Sequence, residues 1–246
     1  MHLIVGVFRL LVAAIGIVGV REIWLGDDLP GLVYFTNQSN LLLVVVMAWA
    51  GVGSLRAATR RGAPPATSSR LDGPPAWLKG AATLFILIAG LVYAVILEPG
   101  DPQPELILGL TDSDLVHVVT PIAALADFVL VDPHRRLRLR LALAWLAYPL
   151  AYCLFTTVRG AVAPELGYPY GFVDVAVHGY AGLLVNVALY GVGFWVLGAI
   201  IIGLDRVLPT RSLLAPPRLA SIPESAPPPG SAQDDPLRGD VRGTRA

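Results

Sequence analysis

The chain has 246 residues, of which 55% are hydrophobic and 15% charged, with 18 basic and 18 acidic side chains. An ordinary soluble domain carries roughly a quarter charged residues, so a water-soluble globule is a poor fit and lipid is the expected solvent. The arginines are spread over short connections and a tail rather than along one stripe, which argues against a nucleic-acid partner, and a single cysteine, Cys153, leaves neither a disulfide framework nor a cysteine metal cluster.

Six apolar segments occur, at roughly residues 3–25, 32–53, 77–97, 115–131, 139–158 and 179–204. Most have the roughly 17–25 residues that cross a hydrocarbon core, and a chain inside lipid must satisfy its own backbone, which a helix does. The expected fold class is all-α: a polytopic membrane bundle of six transmembrane helices over residues 1–207, then a disordered cytoplasmic tail over residues 208–246. Basic residues gather after segment two (Arg56, Arg60, Arg61, Arg70, Lys79), after segment four (Arg135, Arg136, Arg138, Arg140) and in the tail (Arg206, Arg211, Arg218). The other connections hold Asp27, Asp28, Glu98, Asp101, Glu105, Asp112, Asp114 and Glu165. The positive-inside rule then places both termini in the cytoplasm of a multi-pass cell-membrane protein.

Segment one lacks the charged start and small-residue boundary of a cleaved signal and is expected to remain as the first helix. It ends at Arg21, Glu22 and Trp24, where a local ion pair and headgroup contact are the natural roles. Segment two opens with a polar run, Thr36-Asn37-Gln38-Ser39-Asn40, before turning wholly apolar. Segment four opens with His117 at comparable depth and carries Asp127 nearly three turns further in; Asp127 and Asp132 could meet Arg135 or Arg136 at the inner boundary. Pro149 is expected to kink segment five. The stretch from Tyr168 to Asp174 reads as an aromatic cap over the helix ends, and segment six carries glycines at spacings that allow close helix contact.

The combination of Thr36 and His117 suggests acyl chemistry: the imidazole takes the threonine proton while Thr36 attacks a carbonyl, and Asn37, Gln38, Ser39 and Asn40 supply neutral donors to the oxyanion or to water. Glu98 and Arg159 could hold a polar headgroup or form an ion pair. Asp174 and His178 could pair one helical turn apart, although Asp174 also suits a helix cap. The residues by themselves leave three readings open: a hydrolase, a cavity that binds or transports an amphipathic ligand, and a noncatalytic polar network in a structural or regulatory subunit. No metal or organic cofactor is expected, since the spacing of His117, Asp174, His178 and Glu98 matches no metal motif. Oligomeric state is not legible.

Four motifs occur in order: Tyr34 to Leu42 (YFTNQSNLL), Leu115 to Pro121 (LVHVVTP), Trp145 to Pro149 (WLAYP) and Tyr168 to Asp174 (YPYGFVD). Together they resemble the Pr6Pr family of bacterial six-helix membrane proteins over roughly residues 5–205, and more distantly the androgen-induced and androgen-dependent membrane hydrolases of fatty-acid esters of hydroxy fatty acids. The resemblance implies an intramembrane threonine–histidine pair, at Thr36 and His117, and an amphipathic fatty-acyl ester reached from among the membrane lipids.

Overall fold

The computed structural model describes residues 1–26, 29–59, 73–97 and 104–214. Asp27, Asp28, Glu98 and Asp101, most of the arginine-rich second connection and the tail beyond residue 214 lie outside the described residues, and with them the headgroup role expected of Glu98 and the disorder expected of the tail. Among the described residues six helices are long and apolar enough to cross a membrane: α1 His2–Gly19, α2 Phe35–Thr59, α3 Ala76–Val95, α4 Asp112–Val131, α5 Arg140–Val162 and α6 Val175–Val207. Strand-type pairing is limited, among those residues, to one isolated bridge between Ile107 and Leu110. Large apolar side chains face outward, with Ile4 and Val95 each 73% exposed. Water would penalise such surface at about 25 cal/mol per Å², whereas acyl chains cover it freely. Met1 and His2 line the same cavity as Thr210, Arg211 and Ser212, so α1 begins and α6 ends at one end of the bundle.

Local sequence explains how the helices meet. On α1 and α2, Gly6 and Gly51 face each other so closely that a Cβ on either would lie 3.2 Å from the other's carbonyl oxygen. Removing side chains at the contact is how helices gain close packing where no water drives them together. Helix α1 stops at Gly19, short of the expected end at residue 25, and Glu22–Leu25 forms a separate turn. Arg21 leaves the helix line to meet Asp112 at the start of α4 (3.0 Å) as well as Glu22 (3.4 Å). Asp112 is therefore an interhelical partner, and Asp114 forms a capping box with Thr111, where the sequence suggested free loop charges.

Helix α4 contains two widened turns, Leu115–Val119 and Asp127–Val131, in which the N–H bonds five residues back. Pro121 lacks the N–H that would reach the His117 carbonyl, so the regular ladder is already broken there. Helix α5 is interrupted at Leu146, three residues before Pro149, as a proline ring clashing with the preceding turn requires. In α6, Gly179 takes a left-handed φ of +64° and kinks the helix near its start, with Val175–His178 forming a first turn ahead of the expected boundary.

Asp127 and Asp132 do not meet Arg135 or Arg136. Their partners are Arg9 of α1 and Lys79 of α3: the Arg9 Nε donates to Asp127 and its second terminal nitrogen to Asp132, each at 2.8 Å, while the Lys79 ammonium bonds both carboxylates. Arg9 also donates to the Ser54 hydroxyl of α2 at 2.9 Å. In a regular helix the two aspartates would sit about 140° apart; the second widened turn, with Asp132 N–H bonded to the Asp127 carbonyl, brings both to one face. All four charged groups are buried, Asp127 completely. Lys79 is thus an interior residue rather than a charge of the second connection.

Candidate active site

Thr36 is the second residue of α2, where the first backbone N–H groups of a helix have no intrahelical partner and the macrodipole is positive. The turn Leu29–Val33 ahead of it is held by the polar run itself. Asn37 Nδ2 donates to the Gly31 carbonyl and Gln38 Nε2 to that of Leu32, each at 2.8 Å, while the Gln38 carbonyl oxygen accepts from the Tyr148 hydroxyl. Asn40 Nδ2 donates to the carbonyls of Thr36 (3.0 Å) and Val116 (3.3 Å), and its oxygen accepts from Thr120 at 2.8 Å. Asn40 therefore locks the Thr36 turn on α2 to the His117 turn on α4. The amides of Asn37, Gln38 and Asn40 are engaged in scaffolding, in place of the oxyanion contacts the sequence suggested.

His117 lies in the first widened turn of α4, and its Nε2 is 3.3 Å from Thr36 Oγ1. Its Nδ1 is 3.0 Å from the Ser113 carbonyl oxygen, which can only accept. Ser113 Oγ is a second neighbour of Nδ1 at 3.1 Å; with the hydrogen on Nδ1, as the carbonyl favours, Nε2 presents its lone pair to Thr36. Tyr93 of α3 stacks flat on the imidazole, with ring centroids 4.1 Å apart and planes 12° from parallel. Gly90, one turn before it, allows α3 to approach: a Cβ there would lie 2.8 Å from the His117 carbonyl oxygen. The result is a threonine, a histidine and an orienting backbone acceptor in line, the geometry of an activated nucleophile.

On its other side Thr36 faces a narrow cleft of about 70 Å³ between α2, α3, α5 and α6. The walls are almost wholly apolar, from Ile88, Val92, Leu150, Val187 and Phe194 among others, with Thr36 at one end. Beside it stands the Tyr170 hydroxyl, 3.4 Å from both Thr36 Oγ1 and Thr36 N. Tyr170 packs against Tyr34, Tyr152 and Phe172, and burial pushes its phenol above the ordinary tyrosine range, so it stays a protonated donor. His117 does not line the cleft; it reaches Thr36 from the α4 side.

The remaining expected residues fall elsewhere. Asp174 Oδ1 accepts from Ala176 N at 2.7 Å and Val177 N at 3.4 Å, capping α6, and His178 is exposed on the next turn. Arg159 donates to the carbonyls of Gly167 (2.6 Å) and Leu166, closing the loop after α5. The structure brings Thr36, His117 and Asn40 together and leaves Asp174, His178 and Arg159 outside that group. Among the described residues no three His, Cys, Asp or Glu side chains converge as metal ligands would. Tyr93, Ser113 and Tyr170 were not singled out in the sequence; only the position of Tyr170 within an aromatic cap hinted at a site role. Comparisons with protein-family models, with curated proteins and with solved structures find no significant match.

Proposed function

We propose that this chain is a Pr6Pr-like integral protein of the cell membrane, both termini cytoplasmic, that hydrolyses amphipathic fatty-acyl esters. The observation that carries the reading is Thr36 Oγ1 at 3.3 Å from His117 Nε2 beside an apolar cleft. The apolar walls match an acyl chain in character, and helix separation by the chain would leave its ester carbonyl beside Thr36.

In the first step Thr36 Oγ bonds to the ester carbon as its proton passes to His117 Nε2, and the carbonyl electrons move onto oxygen. The Tyr170 hydroxyl and the first N–H groups of α2 stand where that negative charge develops, in a water-poor site where fixed donors are most effective. Collapse breaks the bond to the alcohol oxygen, which leaves with the proton from His117. Water then attacks the acyl-threonine, His117 takes its proton, and the acid departs as Thr36 recovers its hydrogen. Tyr93 and the Ser113 carbonyl keep the imidazole in one tautomer and orientation throughout.

Purified wild-type and Thr36→Ala protein, exposed to a fluorophosphonate probe and to a panel of fatty-acyl esters, test the reading. Wild-type protein is expected to be labelled and to release acid, and the variant to do neither. Folded wild-type protein that neither labels nor cleaves any ester of the panel would remove the hydrolase and favour a cleft that only binds its ligand.

A further inference from the structure

The bundle end opposite Thr36 holds a second cavity that hydrolysis does not use. It has a volume of about 490 Å³, open to solvent, between the starts of α1 and α3 and the ends of α2 and α4. Arg9, Lys79 and Asp132 form its floor, and Arg136 and Arg211 stand exposed at its rim. Ser54 of α2 is some 18 residues from Thr36, so about 27 Å of helix separates the two cavities.

The four-charge cluster at the floor is neutral and internally paired, which an interhelical clamp explains by itself. A clamp does not explain the basic recess kept open above it. The lining cations Arg9, Lys79, Arg136 and Arg211 face Asp132 there, with Asp127 behind, so positive charge is in excess among the described residues. A guanidinium has five donors and an ammonium three; the described partners of Arg9 take three and those of Lys79 two. Donors thus remain at the floor for an incoming anion. Between the cations the walls are apolar, from Val5, Ala50 and Val131. That mixture suits a phosphate carried on glycerol and the first methylenes of an acyl chain better than a hydrated free ion. Phospholipid phosphate is also the anion found at high density at the depth where transmembrane helices end, and basic recesses between helix ends are a recurrent form of lipid site.

We propose that this recess binds the phosphate headgroup of an anionic phospholipid, with Arg136 and Arg211 clasping it over Arg9 and Lys79. The inference is independent of the hydrolase reading.

The experiment is native mass spectrometry of the full chain in detergent, equilibrated with equal amounts of phosphatidylglycerol and phosphatidylcholine, together with thermal unfolding. Wild-type protein is expected to retain phosphatidylglycerol in preference and to unfold at higher temperature with it. Affinity should fall about fivefold for each rim arginine removed, in R136Q/R211Q, with unfolding in the absence of lipid unchanged. Arg211 makes no described side-chain hydrogen bond, so R211Q alone carries the test if the turn that Arg136 closes on Pro133 is disturbed. The control pair R138Q/R140Q, exposed at the same end and outside the cavity, should leave retention unaltered. Equal retention of phosphatidylcholine, or an equal loss in the control pair, would overturn the site in favour of general surface charge. Inorganic phosphate that stabilises wild-type but not R136Q/R211Q protein as fully as the lipid does would overturn the lipid and leave a free-anion site.

Discussion

Thr36 owes its position to neighbours that do no chemistry. Asn40 ties its carbonyl to α4, and Asn37 and Gln38 hold the preceding turn. In the proposed hydrolysis the reacting groups are Thr36, His117 and the Tyr170 hydroxyl. Thr36→Ala should lower kcat at least ~10³-fold, and His117→Ala about 10²–10⁴-fold, both read as acid released from an acyl ester by folded protein. Tyr170→Phe removes one donor to the developing oxyanion and should lower kcat on the order of 10²-fold with KM little changed; an unchanged kcat would exclude that role. Tyr170 also makes a pH prediction. Its folded pKa is raised by burial, so its contribution to stability is complete below the unfolded value of about 10 and is lost as pH rises through the folded value. Thermal unfolding followed from neutral to alkaline pH should show wild-type protein losing more stability above about pH 10 than Tyr170→Phe protein does. Thr36 and His117 were legible in the sequence because a hydroxyl and an imidazole at matched depth in lipid are rare. Tyr170 was not, because one tyrosine among the aromatics of residues 168–172 looks like any other until packing points its hydroxyl.

At the scale of the element, two departures from the regular helix set the site. The widened turn at Leu115–Val119 carries His117, and Gly90 lets α3 close on that turn. A side chain at position 90 must move backbone rather than a flexible tip. Gly90→Val should therefore cost about 1–3 kcal/mol and slow probe labelling of Thr36 by displacing His117, measured by unfolding and labelling rate on one preparation. Asp174 gives the contrasting case. It caps α6 away from Thr36, so Asp174→Ala should cost about 1 kcal/mol while ester turnover per folded molecule stays at the wild-type rate; His178→Ala should alter neither. Turnover lost in Asp174→Ala protein of undiminished stability would return that residue to the site. The proline break in α5 was legible, since a missing N–H acts locally. The widened turns were not: Pro121 marks a weak point in the ladder, but the shift to bonds five residues back depends on what α1, α2 and α3 press against α4.

Across the whole molecule, Arg9, Lys79, Asp127 and Asp132 join α1, α3 and α4, with Ser54 of α2 attached. Removing one partner strands a charge in a dry interior, whereas removing a matched pair does not. Arg9→Met should therefore lower stability by about 3–5 kcal/mol, and the double replacement of Lys79 by Met and Asp127 by Leu should be much milder than the sum of the single changes, as judged by thermal unfolding in detergent. Additive losses would mean that the four charges do not act as a unit. Arg9 was the interior charge overlooked in the sequence, and Lys79 was assigned to a connection, because neither has an acid within its own helix and the acids that neutralise them are over 40 residues away along the chain.

The sequence by itself determined that six helices form and that lipid suits their outer faces, because hydrophobic length and helix-internal hydrogen bonding are properties of each segment alone. It also pointed to Thr36 and His117 as a candidate pair, by residue type and depth, and the two stand 3.3 Å apart. Which acids meet which bases, which tyrosine stands over the nucleophile, and why the amides of Asn37, Gln38 and Asn40 hold the scaffold were decided only by tertiary structure. Many of these contacts join residues far apart along the chain, 81 positions for Thr36 with His117 and 134 for Thr36 with Tyr170. Their partners are chosen by the rotation and register of neighbouring helices, which the pattern within any one helix does not contain.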